Sequence, residues 1–240
     1  MKKLLFCSFL FLSSNVLGQD NKILIGASFS PEYSYRTLKS TGKVNSFGMT
    51  DDDFVDLLND REIGKFGFTT GISAIYNFSE LFGIETGVQY SVKGYQTKWI
   101  EPNLLVEPND PTVPDKWNFI YRYEYIDIPL KANFTFGKNR LRYIATAGIT
   151  ANFLIDAKEI FVGEYGDKTK KQKNFGTSYC NNFNISPIIG AGIEYKITDK
   201  INIRAIPNFK YGLIKIYDDP YKSEHLWSAG IDIGIFYGIK

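Results

Sequence analysis

The chain has 240 residues, of which 44% are hydrophobic and 16% aromatic, and it contains 21 glycines. Its 28 basic and 26 acidic residues nearly cancel, so there is no electrostatic basis for nucleic-acid binding and that class of partner is excluded. The two cysteines are too few for a disulfide framework or a cysteine metal site, and neither a metal ion nor a cofactor is expected.

Residues 1–18 have the pattern of a secretory signal peptide. A basic start, Met1–Lys3, precedes the apolar run Leu4–Leu12, and Val16–Gly18 supplies a small-residue exit. The apolar run is shorter than the roughly 20 residues of a membrane-spanning helix, and a buried N-terminal helix is the alternative. Removal of the signal leaves 26 basic and 26 acidic residues and one cysteine, Cys180, in a single predicted domain at 19–240.

Eight later segments alternate apolar and polar residues at period two, which is typical of strands with one face in lipid. Alternation over about ten residues suits a tilted strand that crosses a bilayer. In chain order the predicted strands are Lys22–Ser30, Lys65–Asn77, Phe82–Lys93, Phe119–Phe136, Leu141–Ile155, Phe183–Ile197, Ile201–Ile216 and Leu226–Lys240.

The connections between these segments alternate in length. Long connections follow the first, third, fifth and seventh strands, and tight turns follow the second, fourth and sixth. This order predicts an all-β fold, an eight-stranded antiparallel up-and-down transmembrane β-barrel with long outer loops and short periplasmic turns, in the bacterial outer membrane. A soluble eight-stranded barrel of the lipocalin type also alternates and is the alternative.

Three local features refine this interpretation. Thr50–Leu58 is predicted to form a short helix capped by Thr50, and a calcium loop is the alternative for its aspartates. Four prolines in Pro102–Pro114 predict an extended, stiff loop. Pro129 lies inside the fourth strand and predicts a bulge there, because proline cannot donate to a strand ladder.

Charged residues on the faces opposite the apolar ones are predicted to line the lumen. An eight-stranded barrel is only wide enough for its own side chains, and unpaired buried charges are costly. The charges are therefore predicted to pair and close the lumen, and a narrow pore or proton path is the alternative. The predicted network consists of Glu85, Lys131, Arg142, Glu194, Arg204 and Asp232.

An enzymatic function would need a nucleophile and a base. His225 is the sole histidine, and Ser223 and Ser228 lie beside it at the predicted outer rim. A serine–histidine pair can cleave lipid esters, because histidine can accept the serine proton near neutral pH. No nucleophile motif surrounds the pair, and a loop histidine without a role is the plainer interpretation. We therefore assign no catalytic residue and predict a non-enzymatic protein.

The outer loops are the predicted working surface, because loops on a rigid scaffold usually carry recognition. Trp99, Trp117, Tyr121 and Tyr123 are candidates for an interaction patch at the outer rim that binds a partner or a glycan. The alternative is an interfacial aromatic girdle combined with loop packing.

The signal peptide, the eight-strand plan and the segment Tyr125–Leu130, which reads YIDIPL, resemble the PorT-like outer-membrane β-barrel domain family. The resemblance covers the mature chain and implies a barrel in the outer membrane. The namesake of that family belongs to a protein-secretion apparatus. The expected function is surface interaction, envelope integrity or an accessory part in secretion, and a passive pore for small solutes is the alternative. Expected partners are outer-membrane lipids, the barrel-assembly machinery and an envelope or secretion protein.

Overall fold

The computed structural model describes residues 22–42, 51–101, 116–164, 168–171, 180–219 and 222–239. The predicted signal peptide, the Thr50 cap and the loop Pro102–Pro114 lie outside the described residues. Within those ranges, no helix is long and apolar enough to cross a membrane.

Nearly all of the described chain is β-structure, with one helix. Residues that alternate at period two form the long strands, and turn residues separate them. The elements are β1 Ile23–Ser40, α1 Asp51–Arg61, β2 Glu62–Asn77, β3 Phe82–Thr97, β4 Trp117–Phe136, β5 Leu141–Gly163, β6 Lys168–Lys171, β7 Phe183–Lys196, β8 Ile201–Tyr211 and β9 Lys222–Ile239.

Eight of these strands close into a ring, which confirms the predicted barrel. Each strand pairs antiparallel with its neighbour in the chain, and β1 pairs with β9 from Ile23↔Ile239 to Ser40↔Lys222. The four-residue strand β6 was not predicted. It pairs with β5 through Phe161↔Thr169 and extends an outer hairpin without entering the ring.

The apolar face of the strands points outward. In β9, Ile231, Ile233 and Ile235 are about half exposed, whereas Phe236, on the other face of the strand, is buried. Exposed apolar residues of this kind recur on all eight strands of the ring. Such a belt is stable against lipid and not against water, so the outer surface faces the membrane.

The strands are taller than predicted at their outer ends. β1 continues to Ser40, β5 to Gly163, and β9 begins at Lys222. Several of their outward residues there are polar, for example Thr37, which lies opposite His225. We call this part of the barrel, beyond the lipid belt, the collar.

The bulge predicted at Pro129 is wrong. Pro129 pairs with Thr150 in unbroken register, and the register with β3 is the same on both sides of it. The β3–β4 ladder omits the Pro129 position, which accommodates the missing N–H without an extra residue. The bulge between β4 and β5 lies at Glu124/Tyr125, where Ile155 is the additional residue of β5.

The predicted short helix is confirmed as α1. It packs on β1 and β2 through Val55, which is buried, whereas Phe54 and Leu57 are exposed.

Candidate functional site in the lumen and at the outer rim

Alternation places the polar side chains of the strands inside the barrel, and the lower lumen contains a continuous chain of ion pairs. Glu194 is fully buried and contacts two guanidinium groups: Arg142 at Oε1 and Arg204 at Oε2. The Arg204 guanidinium also lies 4.9 Å from the centre of the Phe236 ring. Cross-strand register explains the contacts, since both arginines lie directly opposite Glu194.

The same chain of ion pairs continues across the lumen. Arg204 Nη1 lies 3.7 Å from Glu85 Oε2, and Glu85 pairs in turn with Lys131. Lys131 Nζ lies 3.6 Å from Asp232 Oδ2, and Asn133 donates a 2.9 Å hydrogen bond to Glu85. The structure thus brings all six predicted lumen charges into one connected cluster.

A middle tier of the lumen was missed by the sequence analysis. Lys210 donates to Glu32 over 2.6 Å, and Thr69 donates to the same carboxylate. Beside them, Lys93 Nζ lies 3.5 Å from Asp127 Oδ2. Lys93 and Glu85 are both odd-numbered residues of β3 and therefore lie on the same face of that strand. The alternation along β3 could thus have identified Lys93 as a lumen residue.

The outer mouth of the lumen is closed by aromatic residues. Tyr95, Tyr123 and Tyr125 are buried and pack in one cluster with Cys180 and Leu226. Arg36 pairs with Glu62 at the edge of this cluster, and its guanidinium lies 4.8 Å from the centre of the Tyr95 ring. At the opposite, periplasmic end, an apolar floor is formed by Leu24, Ile75 and Phe236.

The four predicted rim aromatics have different environments. Trp99 is 52% exposed, whereas Trp117 is half-buried and packs against Phe161. Tyr121 stacks on Tyr95 with ring centres 4.7 Å apart. Tyr123 is only 2% exposed, so its assignment to an exposed rim is wrong: it closes the lumen, because β4 turns its odd-numbered residues inward.

Burial controls the chemistry of the one cysteine in the described residues. Cys180 lies in the collar beside Tyr217, and burial raises the pKa of its thiol to about 11. The thiolate is the reactive form of cysteine, so this thiol is poorly reactive at neutral pH. The described residues also contain no cluster of three or more histidine, cysteine or acidic side chains that could hold a metal ion.

His225 lies in strand β9 and not in a loop. Its Nδ1 is 2.9 Å from the Gly212 carbonyl oxygen, so Nδ1 carries the proton and Nε2 is an acceptor. Ser223 Oγ lies 3.1 Å from Nε2 and donates to it. Both side chains point outward above Trp227, whereas Ser228 is buried in the lumen.

The sequence matches the family described as outer membrane protein β-barrel domain over residues 18–218. The chain belongs to this family. Its membership agrees with the closed ring and the lipid-facing belt, and it places the protein in the bacterial outer membrane. A search of curated proteins found no match.

Solved outer-membrane barrels resemble this family member in fold. Neisserial surface protein A is 14% identical, with 91% of this chain and 97% of that chain covered and a TM-score of 0.45. OprG from Pseudomonas aeruginosa is 9% identical, with the same coverage and TM-score. The Escherichia coli outer membrane protease OmpT is 9% identical, with 92% and 97% covered and a TM-score of 0.42. These identities are too low to transfer a role.

Proposed function

We propose that the protein is a non-conducting, non-enzymatic outer-membrane barrel whose collar binds a protein partner of the cell envelope. The closed lumen is the observation that carries this proposal. A secretion accessory of the PorT-like kind, to which the segment Tyr125–Leu130 is similar, is the partner system that we favour.

Because the lumen is closed, the collar is the surface that is available for a function. The tyrosine cluster, the ion pairs and the apolar floor fill the barrel at successive heights. A solute would have to displace buried ion pairs, which leaves charges uncompensated and costs several kcal/mol. This argues against the alternative of a passive pore.

The collar offers an apolar surface that lipid does not cover. Phe54 and Leu57 of α1 are about 40% exposed, and Trp99 at the end of β3 is 52% exposed. The Lys98 amide donates to the Arg61 carbonyl, so the end of α1 and the end of β3 are joined. Apolar side chains grouped on a polar surface in this way support an interaction site.

The charge of α1 indicates the chemistry of the partner. Five of its eleven residues are aspartates, and only Arg61 is basic. The surface thus combines exposed Phe54 and Leu57 with a strong negative charge. A partner with an apolar patch edged by lysine and arginine would complement it.

Planar-bilayer recording tests the closed lumen. The refolded mature protein should give no steady single-channel current, while heat-modifiable gel mobility demonstrates that the barrel is folded. Steady ion conductance by the folded protein would reject the proposal and make transport the leading function.

Site-specific photocrosslinking in living cells tests the collar surface. A crosslinker at Leu57 or Trp99 should give one discrete protein adduct, and a crosslinker at Lys138, in a periplasmic turn, is the matched control. Phe54→Ser should abolish the Leu57 adduct without changing barrel folding. Identical products from Leu57 and Lys138 would show that the collar is not the contact surface.

The outer loop can be tested separately because its ends meet. Lys116 Nζ lies 2.9 Å from Glu101 Oε1, and Ile100 pairs with Trp117. A short turn can therefore replace residues 102–115 without strain. The shortened barrel should fold and lose partner binding, and retained binding would exclude this loop as the contact.

A second candidate function, hydrolysis of an outer-leaflet lipid ester, is favoured by the Ser223–His225 contact. Ser223 Oγ would attack the ester carbonyl and pass its proton to His225 Nε2, which would return it to the leaving alcohol. Water would then hydrolyse the acyl-serine to the free acid. Lys39, directly opposite Ser223 on β1, is the cation nearest in register to the developing oxyanion.

A fluorophosphonate probe distinguishes the two functions. Hydrolysis requires covalent labelling of the native barrel at Ser223, with labelling lost in Ser223→Ala and strongly reduced in His225→Gln. A native barrel that is not labelled, with an unchanged lipid profile in His225→Ala cells, would remove the enzymatic candidate and leave the collar proposal intact.

A further inference from the structure

An ion cluster lies on the outward face of the barrel, on strands β2 to β5. We call it the outer-edge cluster; it begins immediately above the last apolar residues of the lipid belt, Ile126 and Ile155. It consists of Lys65, Arg122, Glu124, Asp156 and Lys158.

Aromatic residues fix the height of this cluster. Phe68 packs against Tyr90 with ring centres 6.0 Å apart, and Tyr33 packs against Phe66 at 5.6 Å. Phe66, next to Lys65, is 80% exposed. Aromatic side chains of membrane proteins concentrate at the membrane–water interface, so the cluster lies at the level of the lipid headgroups.

The two carboxylates of the cluster are already engaged. Glu124 Oε1 lies 3.0 Å from Lys158 Nζ and 3.1 Å from Arg122 Nε, and Tyr90 donates its hydroxyl to Oε2. Asp156 Oδ2 lies 2.6 Å from Lys158 Nζ. The cluster therefore contains three cations and only two carboxylates, and it has an excess positive charge.

The excess charge is located between Lys65 and Arg122. Lys65 lies in the irregular part of the β2–β3 ladder, between the pairs Gly64↔Tyr95 and Phe68↔Val92, and Gly94 in the facing stretch of β3 pairs with Arg122. The Lys65 ammonium group donates to the Phe66 carbonyl over 3.3 Å, and its charge is repelled by Arg122. Arg122 Nε is buried and is not in hydrogen-bonding geometry with Glu124, despite their short distance. Among the described residues, no carboxylate pairs with Lys65.

We propose that Lys65 and Arg122 bind a phosphate group of an outer-leaflet lipid, whose acyl chains pack along Phe66 and Phe68. Phosphate presents several acceptor oxygens, which suits a planar guanidinium beside an ammonium point charge. At the same height, the outward face of β8 and β9 carries the aromatics Phe209 and Trp227. The site is therefore confined to one side of the barrel.

Binding of lipid probes to the refolded mature protein tests this site. Native mass spectrometry from detergent micelles measures binding of bisphosphorylated lipid A and of the same lipid without phosphates, and ³¹P NMR measures inorganic phosphate. Lys65→Gln and Arg122→Gln are the variants. Lys138→Gln, in an exposed periplasmic turn, removes the same charge at the other end of the barrel and is the control.

The phosphorylated lipid should bind about fivefold more weakly to each variant, since one interfacial cation contributes about 1 kcal/mol. The control and the lipid without phosphates should show no such dependence. Equally strong, variant-sensitive binding of inorganic phosphate would support the phosphate site with a free anion as its ligand. Equal affinity of the wild type and both variants, or an equal loss in Lys138→Gln, would overturn the proposal. Heat-modifiable mobility of each variant confirms that it is folded.

Discussion

Replacement of Glu194 by glutamine should destabilise the barrel strongly, because one carboxylate compensates two buried guanidinium groups. The Glu194 side chain is 0% exposed, and the side chains of Arg142 and Arg204 are 14% and 4% exposed. Removing one partner of a buried ion pair typically costs about 3–5 kcal/mol. Arg142 lies near the periplasmic edge and can turn to water, and Arg204 retains Glu85 at 3.7 Å. We therefore expect the free energy of unfolding to fall by about 3 kcal/mol, near the lower limit of that range.

Equilibrium unfolding in urea from lipid vesicles, followed by tryptophan fluorescence, measures this loss. Glu80→Gln, in an exposed periplasmic turn, is the control and should change the free energy of unfolding by less than about 0.5 kcal/mol. In Glu194→Gln/Arg204→Gln, the second substitution should cost less than it does alone, with a coupling of about 0.5–3 kcal/mol. If Glu194→Gln is as stable as Glu80→Gln, the lumen ion pairs do not hold the barrel together.

Three further predictions follow from the lumen and the collar. Arg204→Leu should lower the free energy of unfolding, measured from lipid vesicles, by about 3–5 kcal/mol. Asp232 is partly exposed, so Asp232→Leu should lower it by less. Native Cys180 should react with iodoacetamide at pH 8 about 100-fold more slowly than in urea, because its pKa is raised from 9.0 to about 11; equal rates would contradict its burial. Gly94 has φ +154°, and a Cβ added there would lie 1.9 Å from the Tyr121 backbone oxygen. Gly94→Ala should therefore lower the free energy of unfolding more than Gly42→Ala, whose added Cβ meets nothing within 4 Å.

The barrel and its lumen charges could be predicted because lipid imposes the alternation. An outward residue inside the membrane must be apolar, so polar residues on the other face identify the lumen. That constraint ends where the strands leave the lipid. In the collar Thr37 and His225 face outward, the alternation of polarity disappears, and strands therefore appeared to end too early.

Part of the site could have been found by counting residues, and part could not. Lys131 was assigned to the lumen, and the odd-numbered residues of β4 continue on that face through Asp127 to Tyr125 and Tyr123, which close the lumen. The contact of Lys210 with Glu32, by contrast, joins residues 178 positions apart across the barrel. Such a contact depends on the shear of the closed ring, which no single strand specifies.

The lumen is obstructed at three heights by different chemistry: the apolar floor, the ion pairs and the tyrosine cluster. These obstructions act in series, so a leak requires that all of them fail together. A substitution that weakens one layer lowers stability but leaves the other two as barriers. A single substitution in the lumen is therefore expected to lower the stability of this barrel before it opens a path through it.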